Sequence, residues 1–567
     1  MNGLTIDEAV AKITREDPRF ATGTCWIDNI EYRIFSNAPR SIPELLIDSK
    51  NRHADGMSDY VVFGDRRWSY NDFLHDVRQL ADGLHRKYGV SNGTRVGLAM
   101  RNCPEMLVLF MAIASLGGVT AFLNAWWTTE ELDYAVEDTG ATLVFADDER
   151  ASRLRPLKER RGLIIVGVGD AETVSDSTYS ELKMNGNPNI TPVVASVAPD
   201  DDFAIMYSSG TTSHPKGVVL THRGAINAVY TWLMQIEMGP LITPPAPDAP
   251  PALRPALLIA TPLFHVTASH ALFLLSIPLG AKVVLMEKWD ADVAAELIES
   301  EQVTRFLGVP TQTADLLVAA RRFGRSLSSL EFLGSGGAKR PPAQVAELAR
   351  EFPEANVATG WGMTETNAIG IGMAGDDYVA RPGSAGRLYQ PIQELRFLDD
   401  DGDDIPPGQV GEITVKSPCN MRTYLNKPEA TFEVLQNGWL RTGDLGWIDE
   451  DGFITIVDRK KNIIIRGGEN IACLDVEAAL HAHPAVAEAC AFAVPHDRLG
   501  EVVGAAVMTR EGMTVDPDDL QDFLSAHIAR FKIPEQLWIQ TAPLARGATD
   551  KIDRRVIRAQ CLEQISA

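Results

Sequence analysis

Cysteine is scarce in this chain: six residues among 567, at Cys25, Cys103, Cys419, Cys473, Cys490 and Cys561. None forms a C-x-x-C pair. A disulfide framework and the common zinc spacings are therefore not indicated, and a reducing, cytoplasmic setting is the simplest reading. Long apolar runs are missing as well. The longest, Met106–Ala114, reads as a buried helix, because a membrane span needs about 18 or more such residues. The segment Met1–Glu8 has neither a basic nor an apolar stretch, so no secretion signal is expected, and Gln564–Ala567 is not a recognisable targeting tripeptide. Positive charge is in deficit: 53 Lys and Arg against 76 Asp and Glu, a formal net charge of −23. Such a chain is a poor non-specific partner for nucleic acid or an anionic membrane, and an anionic ligand needs a locally positive site. Absent too is a G-x-x-x-x-G-K-[ST] loop, which disfavours a P-loop kinase or ATPase.

Hydrophobic residues make up 45% of the chain and charged residues 23%, as in ordinary globular proteins. The length calls for two or more domains. From about residue 60 to 370, short apolar strands alternate with helical stretches. Strands are expected at Thr94–Met100, Leu143–Phe145, Leu163–Gly167, Leu257–Ala260, Lys282–Met286 and Arg305–Val309, with a helix at Pro104–Leu116. The alternation predicts layered α/β with largely parallel sheets. Residues 239–256 hold seven prolines and read as a surface loop. After about residue 395, Gly411–Lys416 and Phe453–Val457 alternate as half-exposed antiparallel strands do, so a β-rich subdomain is expected at about 395–458. The charged junction Asp458–Asn462 is the expected boundary. It divides a large domain, 1–458, from a small mobile α+β domain, 459–567, with strands at Val486–Val494 and Val502–Met508 and a helix at Asp516–Phe531.

The segment Tyr207–Val218 packs five small hydroxyl residues, two glycines and Lys216 into twelve positions, directly after the apolar Phe203–Met206. Free backbone N–H groups, hydroxyls and one cation suit a polyphosphate. Pro215 precedes Lys216 and an apolar run follows it, so this is a flap between two strands, not a cradle opening a helix. Gly336–Lys339 follows an apolar strand and permits close approach of a flat ring or phosphate. In Gly360–Thr366 a hydroxyl and a carboxylate stand side by side, and Glu365 suits Mg²⁺, a hard cation that binds phosphate oxygens with one or two carboxylates. Asp444 sits in the glycine-flanked Gly438–Gly446, where a carboxylate can accept from both ribose hydroxyls. Lys551 lies in the polar loop Arg546–Asp553. Each motif alone has a plainer reading as a turn or a solvated charge; their joint occurrence in order carries the weight.

Taken together, these segments, with Leu123–Thr128 and Thr261–His265, resemble the adenylate-forming superfamily, specifically acyl-CoA synthetases, over about residues 30–560. The resemblance implies ATP, Mg²⁺ and coenzyme A as cofactors and an ATP-dependent joining of a carboxylic acid to coenzyme A through an acyl-adenylate. It implies that Thr211, Thr212 and Lys216 embrace the outer phosphates, and that Gly336, Gly337, Ala338 and the backbone of Gly360, Trp361 and Gly362 bracket the adenine. Thr364 then contacts the α-phosphate, Glu365 the magnesium, and Asp444 with Arg459 the ribose. Lys551 bridges the attacking carboxylate and the α-phosphate, Lys461 is the hinge, and Gly467, Gly468 and Glu469 face coenzyme A. Asp550 and Asn462 depart from the residues frequent at those places, glycine and aspartate.

For the acyl pocket the expected residues are His265, Val266, Trp232, Gly334 and Ser335, with the helix 225–234 and the strand end 309–311. Without a second cation there, a fatty or other hydrophobic monocarboxylic acid is expected. The alternative is a ligase for aryl or short-chain acids, or one passing the acyl group to a free-standing carrier-protein thiol, no fused carrier being expected after Lys551. A non-catalytic nucleotide sensor is disfavoured because Lys551 and Glu365 are both present. The sequence leaves open a homodimer, the acid's chain length, and any role for the proline-rich insertion.

Overall fold

The computed structural model describes residues 3–53, 56–169, 175–189, 197–208, 215–249, 251–547 and 550–566. Two large sheets form its frame. The eight-stranded one runs from Thr423–Tyr424 through Lys216–Thr221, Asp202–Ser208, Val119–Phe122, Arg95–Ala99, Leu143–Ala146 and Ile164–Gly167 to Ser177–Thr178. Only its first three strands pair antiparallel; the rest is parallel. The nine-stranded sheet is parallel through its centre, where Phe332–Gly336 lies between Arg305–Gly308 and Asn356–Trp361.

Side chains alternate between the two faces of each strand, and the cores follow that period. Val96 and Leu98 of the first sheet share one core with Ile259, Val283 and Leu285 of the second. Helices Tyr70–Tyr88, Pro104–Ser115 and His222–Ile242 fill the space between the sheets. Val144, Ile205 and Val219 face outward into a second core, and Leu258, Val284, Phe306 and Leu333 into a third. The result is helix, sheet, helix, sheet, helix. Pro104–Ser115 is buried on nearly every side, which explains the uninterrupted apolar run Met106–Ala114 within it. Tyr70–Tyr88 shows local agreement at both ends: Ser69 and Asp72 form a capping box, and Gly89 closes it at φ 67°.

A β-rich subdomain follows, an antiparallel sheet of Glu394–Leu398, Gly411–Lys416, Leu435–Gln436, Trp439–Ile448 and Ile454–Arg459. The smaller C-terminal α+β domain has its own five-stranded sheet, with Val486–His496 and Gly500–Thr509 as its long hairpin. Separate cores cover its two faces.

Two expectations are corrected. The proline-rich run does not begin as a loop: its first residues complete the helix His222–Ile242, with Pro240 inside. Leu241 and Ile242 pack on the central core, and Leu4 donates its N–H to the Leu241 carbonyl at 2.9 Å. Tertiary packing overrides the prolines there. The helix expected at 516–531 is Pro517–Ser525. Ser525 Oγ turns back on the Asp522 carbonyl at 2.7 Å, and Ala529 is extended before a short turn at Arg530–Lys532.

Candidate active site

The strands Phe332–Gly336 and Asn356–Trp361 run parallel with Gly336 opposite Gly360. Two facing residues without side chains leave a slot at the ends of the sheet. Gly337 then turns at φ 75°, a left-handed conformation that suits glycine. The strands Asp202–Ser208 and Lys216–Thr221 pair antiparallel, which delivers Lys216 to the rim of this slot from the other sheet. Thr211 and Thr212, between those strands, lie outside the described residues. A third element is the hairpin of Trp439–Ile448 and Ile454–Arg459, which puts Asp444 directly opposite Arg459.

These elements open onto one cleft of about 960 Å³. Lys216, His265, Val266, Gly337, Ala338, Trp361, Thr364, Glu365, Asp444, Arg459, Lys461 and Lys551 all line it. Residues far apart in sequence, from both sheets, the β-rich subdomain and the C-terminal domain, thus converge.

Glu365 is 4% exposed. Its Oε1 accepts from Tyr424 Oη at 2.8 Å, and Lys216 Nζ lies 4.7 Å from the centre of the same tyrosine ring. Burial raises the Glu365 carboxyl above its usual range, while Tyr424, Arg459 and Lys216 oppose the rise. Asp444 is 3% exposed. Trp361 Nε1 donates to its Oδ2 at 2.9 Å, and Arg459 Nε sits 3.0 Å from Oδ1. Burial raises this carboxyl too, and Arg459 and Trp361 again oppose it. Both carboxylates retain lone pairs toward the cleft. Among the described residues no cluster of three or more His, Cys, Asp or Glu could hold a metal by itself. Glu365 fits a magnesium ion carried by phosphate oxygens and one carboxylate.

Lys551 comes to this site from the C-terminal domain. A Cβ placed on Gly337 would fall 2.3 Å from Lys551 Nζ, so the ammonium rests against the glycine turn. Burial, and then the Arg459 charge, lower Lys551 to about 8. Lys461, at the chain's crossing between domains, is lowered to about 8 by partial burial and the same arginine. Burial, with a smaller contribution from Lys551, holds His265 near 3, so its imidazole is neutral.

Other expected residues lie elsewhere. Gly334 faces Leu307 and the Phe332 ring. Ser335 is fully buried on the opposite side of its strand, where its hydroxyl accepts from Arg340 Nε at 3.0 Å. Trp232 is half-buried against the central core. Gly467, Gly468 and Glu469 form an exposed turn outside the cleft. Tyr424 escaped the sequence reading: no local pattern marks it, and it reaches the site only because its short strand pairs with Lys216–Thr221.

The geometry defines an adenylate-forming enzyme, and the comparisons agree. The AMP-binding enzyme family matches residues 50–425 and the AMP-binding enzyme C-terminal domain matches residues 475–549; the chain belongs to this family. It is similar to feruloyl-CoA synthase of Amycolatopsis sp, 34% identical over 481 residues, covering 84% of this chain and 91% of the relative. Long-chain-fatty-acid–CoA ligase of Bacillus subtilis (strain 168) is 29% identical over 549 residues, covering 91% and 94%. The crystal structure of ATP-bound MatB from Rhodopseudomonas palustris matches with a TM-score of 0.81 at 26% identity, covering 92% of this chain and 99% of that one. The protein is an AMP-forming acid–thiol ligase, using ATP, Mg²⁺ and coenzyme A. Among the described residues, no helix is long and apolar enough to cross a membrane.

Proposed function

We propose that the acid is a hydrophobic monocarboxylate, activated in the cleft between Lys551, Lys216 and Glu365. The observation that carries this reading is the wall beside Lys551. Its apolar part is Val266, Val309 and Pro310 with the neutral His265, while Lys339 and Arg340 line the same cleft. None of the first four supplies a cation for a second carboxylate.

A carboxylate is a poor electrophile, and making it a mixed anhydride with AMP solves that problem. The carboxylate oxygen attacks the α-phosphorus of ATP, and the bond to pyrophosphate breaks. Lys551 holds the incoming carboxylate and the α-phosphate as a compact point charge. Lys216 and Thr364 hold the phosphates, and Asp444 with Arg459 the ribose. Magnesium, when bound at Glu365, neutralises phosphate charge. Positioning and charge stabilisation dominate, since the protein makes no covalent bond. The thiolate of coenzyme A then attacks the acyl carbon and AMP leaves. For that step residues 459–567 swing about Lys461, within the boundary 458–462, withdrawing Lys551 and presenting the turn 467–469.

The feruloyl-CoA synthase and the long-chain-fatty-acid–CoA ligase favour different branches of this substrate class, an aryl-propenoic acid and a long-chain fatty acid. Coenzyme A-dependent AMP release over aliphatic acids of increasing length, aryl-propenoic acids and dicarboxylates separates them. Preferred turnover of a dicarboxylate would overturn the proposal, and acyl transfer only to a carrier-protein thiol would replace coenzyme A as acceptor.

A further inference from the structure

Lys551 must be held against Gly337 for one half-reaction and released for the other, so something has to set that balance. We propose that Thr311 and Asp550 form a latch across the cleft that positions Lys551 for adenylation. This rests on the adenylating role proposed for Lys551.

The loop carrying the lysine is closed at its base by its own backbone. Gly547 N donates to the Lys551 carbonyl at 2.8 Å, and Asp553 N to the Ala545 carbonyl at 2.8 Å. Asp550, immediately before the lysine, is left-handed at φ 62°. Aspartate tolerates that conformation better than most residues, but still at a cost. A conformation with a cost persists where contacts hold it. The contacts come from two sides. Arg546 Nη1 lies 3.0 Å from Asp550 Oδ2, and its other terminal nitrogen pairs with Glu488 Oε1. Glu488 is anchored in turn, since its Oε2 accepts from Leu544 N at 2.9 Å. On the far side, Thr311 Oγ1 is 3.3 Å from both the Asp550 carbonyl oxygen and Oδ2.

Thr311 stands in the first turn of the helix Pro310–Phe323, part of the large α/β body. Hydrogen bonds thus run without a break from the C-terminal sheet through Glu488, Arg546 and Asp550 to that body, ending one residue from the catalytic lysine. On the same helix, Asp315 is held by Trp289 Nε1 at 3.2 Å and lies within the field of Arg546, Asp550 and Glu488. At 3.3 Å the bonds to Thr311 are longer than the ordinary O–H···O range of about 2.5–3.0 Å and hence weak, which suits a contact that must break every turnover. Thr311 and Asp550 are positioning residues, acting through Lys551.

The test measures two half-reactions in the full-length enzyme. Thr311→Val removes the donor at nearly constant shape. It should slow carboxylate-dependent ATP–pyrophosphate exchange about three- to tenfold in kcat, the range of one net hydrogen bond. The KM for ATP should stay put, and conversion of supplied acyl-AMP to acyl-CoA should be unchanged or faster. Thr311→Ser should restore the wild-type ratio of the two rates. Asp550→Gly, which relieves the backbone and deletes the side chain, should shift the ratio in the same direction as Thr311→Val. A wild-type ratio in Thr311→Val, or equal slowing of both half-reactions, would overturn the latch. Lys551→Ala measured alongside separates the two claims. If it still exchanges pyrophosphate, the lysine's role fails and the latch with it; if it does not, an unshifted Thr311→Val ratio sinks the latch alone.

Discussion

The indole Nε1 of Trp361 donates to Asp444 Oδ2 at 2.9 Å, joining the end of the nine-stranded sheet to the β-rich subdomain. With Arg459 on Oδ1, the carboxylate is fixed from two directions before any nucleotide arrives. Such preorganisation lowers the entropy lost on binding. If Asp444 grips the ribose, Asp444→Ala should raise the KM for ATP about 10- to 100-fold, the range of hydrogen bonds to a charged group. It should also abolish discrimination between ATP and 2′-deoxy-ATP. Unchanged discrimination would remove Asp444 from the ribose.

Tyr424 and Glu365 suggest a second experiment. Glu365→Gln should lower the adenylation rate about 10²–10³-fold, in the range of losing one preorganised electrostatic contact. Tyr424→Phe leaves the carboxylate in place but removes a donor that favours its charged form, so the carboxyl should be raised further. The expected result is a Mg²⁺ requirement about three- to tenfold higher with little loss at saturating Mg²⁺. A magnesium titration of pyrophosphate exchange checks this, and an unshifted curve would place the ion elsewhere.

Much of the frame is legible in the sequence because it rests on local signals. The apolar run of Pro104–Ser115 and the capping box at Ser69 each satisfy a short-range rule, whereas Gly411–Lys416, expected half-exposed from its alternation, is buried on both faces because it is an inner strand of its sheet. The glycine-rich strand ends are legible for the same reason. What stays hidden is pairing. Tyr424 lies 59 residues from Glu365, Asp444 lies 83 from Trp361, and Asp550 lies 239 from Thr311. No periodicity reports such contacts, which exist only once the sheets have formed. Ser335 shows the converse: its neighbours mark it as a pocket residue, but the strand's two-residue period turns its hydroxyl to Arg340.

Gly337 tests the docking of Lys551 from the opposite side. Gly337→Ala would place a methyl group 2.3 Å from Lys551 Nζ and 2.4 Å from its Cε, at a backbone φ of 75° that alanine disfavours. The lysine is the more mobile partner, so it should be displaced. Adenylation should fall about 10²-fold or more, in the range of one lost charge contact, while acyl-AMP conversion to acyl-CoA stays near wild type. A circular dichroism spectrum and melting curve check that the fold survives. Equal loss of both half-reactions would mean that the glycine serves the nucleotide alone.

The pH profile follows from the same docking. Lys551 titrates near 8 in the folded protein, below its ordinary value near 10.4. Between these values the unfolded chain binds the proton and the folded one has lost it, so this group makes stability rise with pH across about 8 to 10.4. Activity should move the other way, because the bridging role proposed for Lys551 needs the ammonium. In pyrophosphate exchange, kcat/KM for ATP reports the free enzyme and should fall above about pH 8. The bound triphosphate favours the charged form, so the alkaline limb of kcat should lie higher. Lys551→Arg keeps its charge throughout and should push the kcat/KM limb beyond the accessible range, at a lower plateau because a planar fork replaces a point charge. An alkaline limb near 8 that persists in Lys551→Arg would assign it to another group, and Lys461, lowered to about 8 beside Arg459, is the one to mutate next.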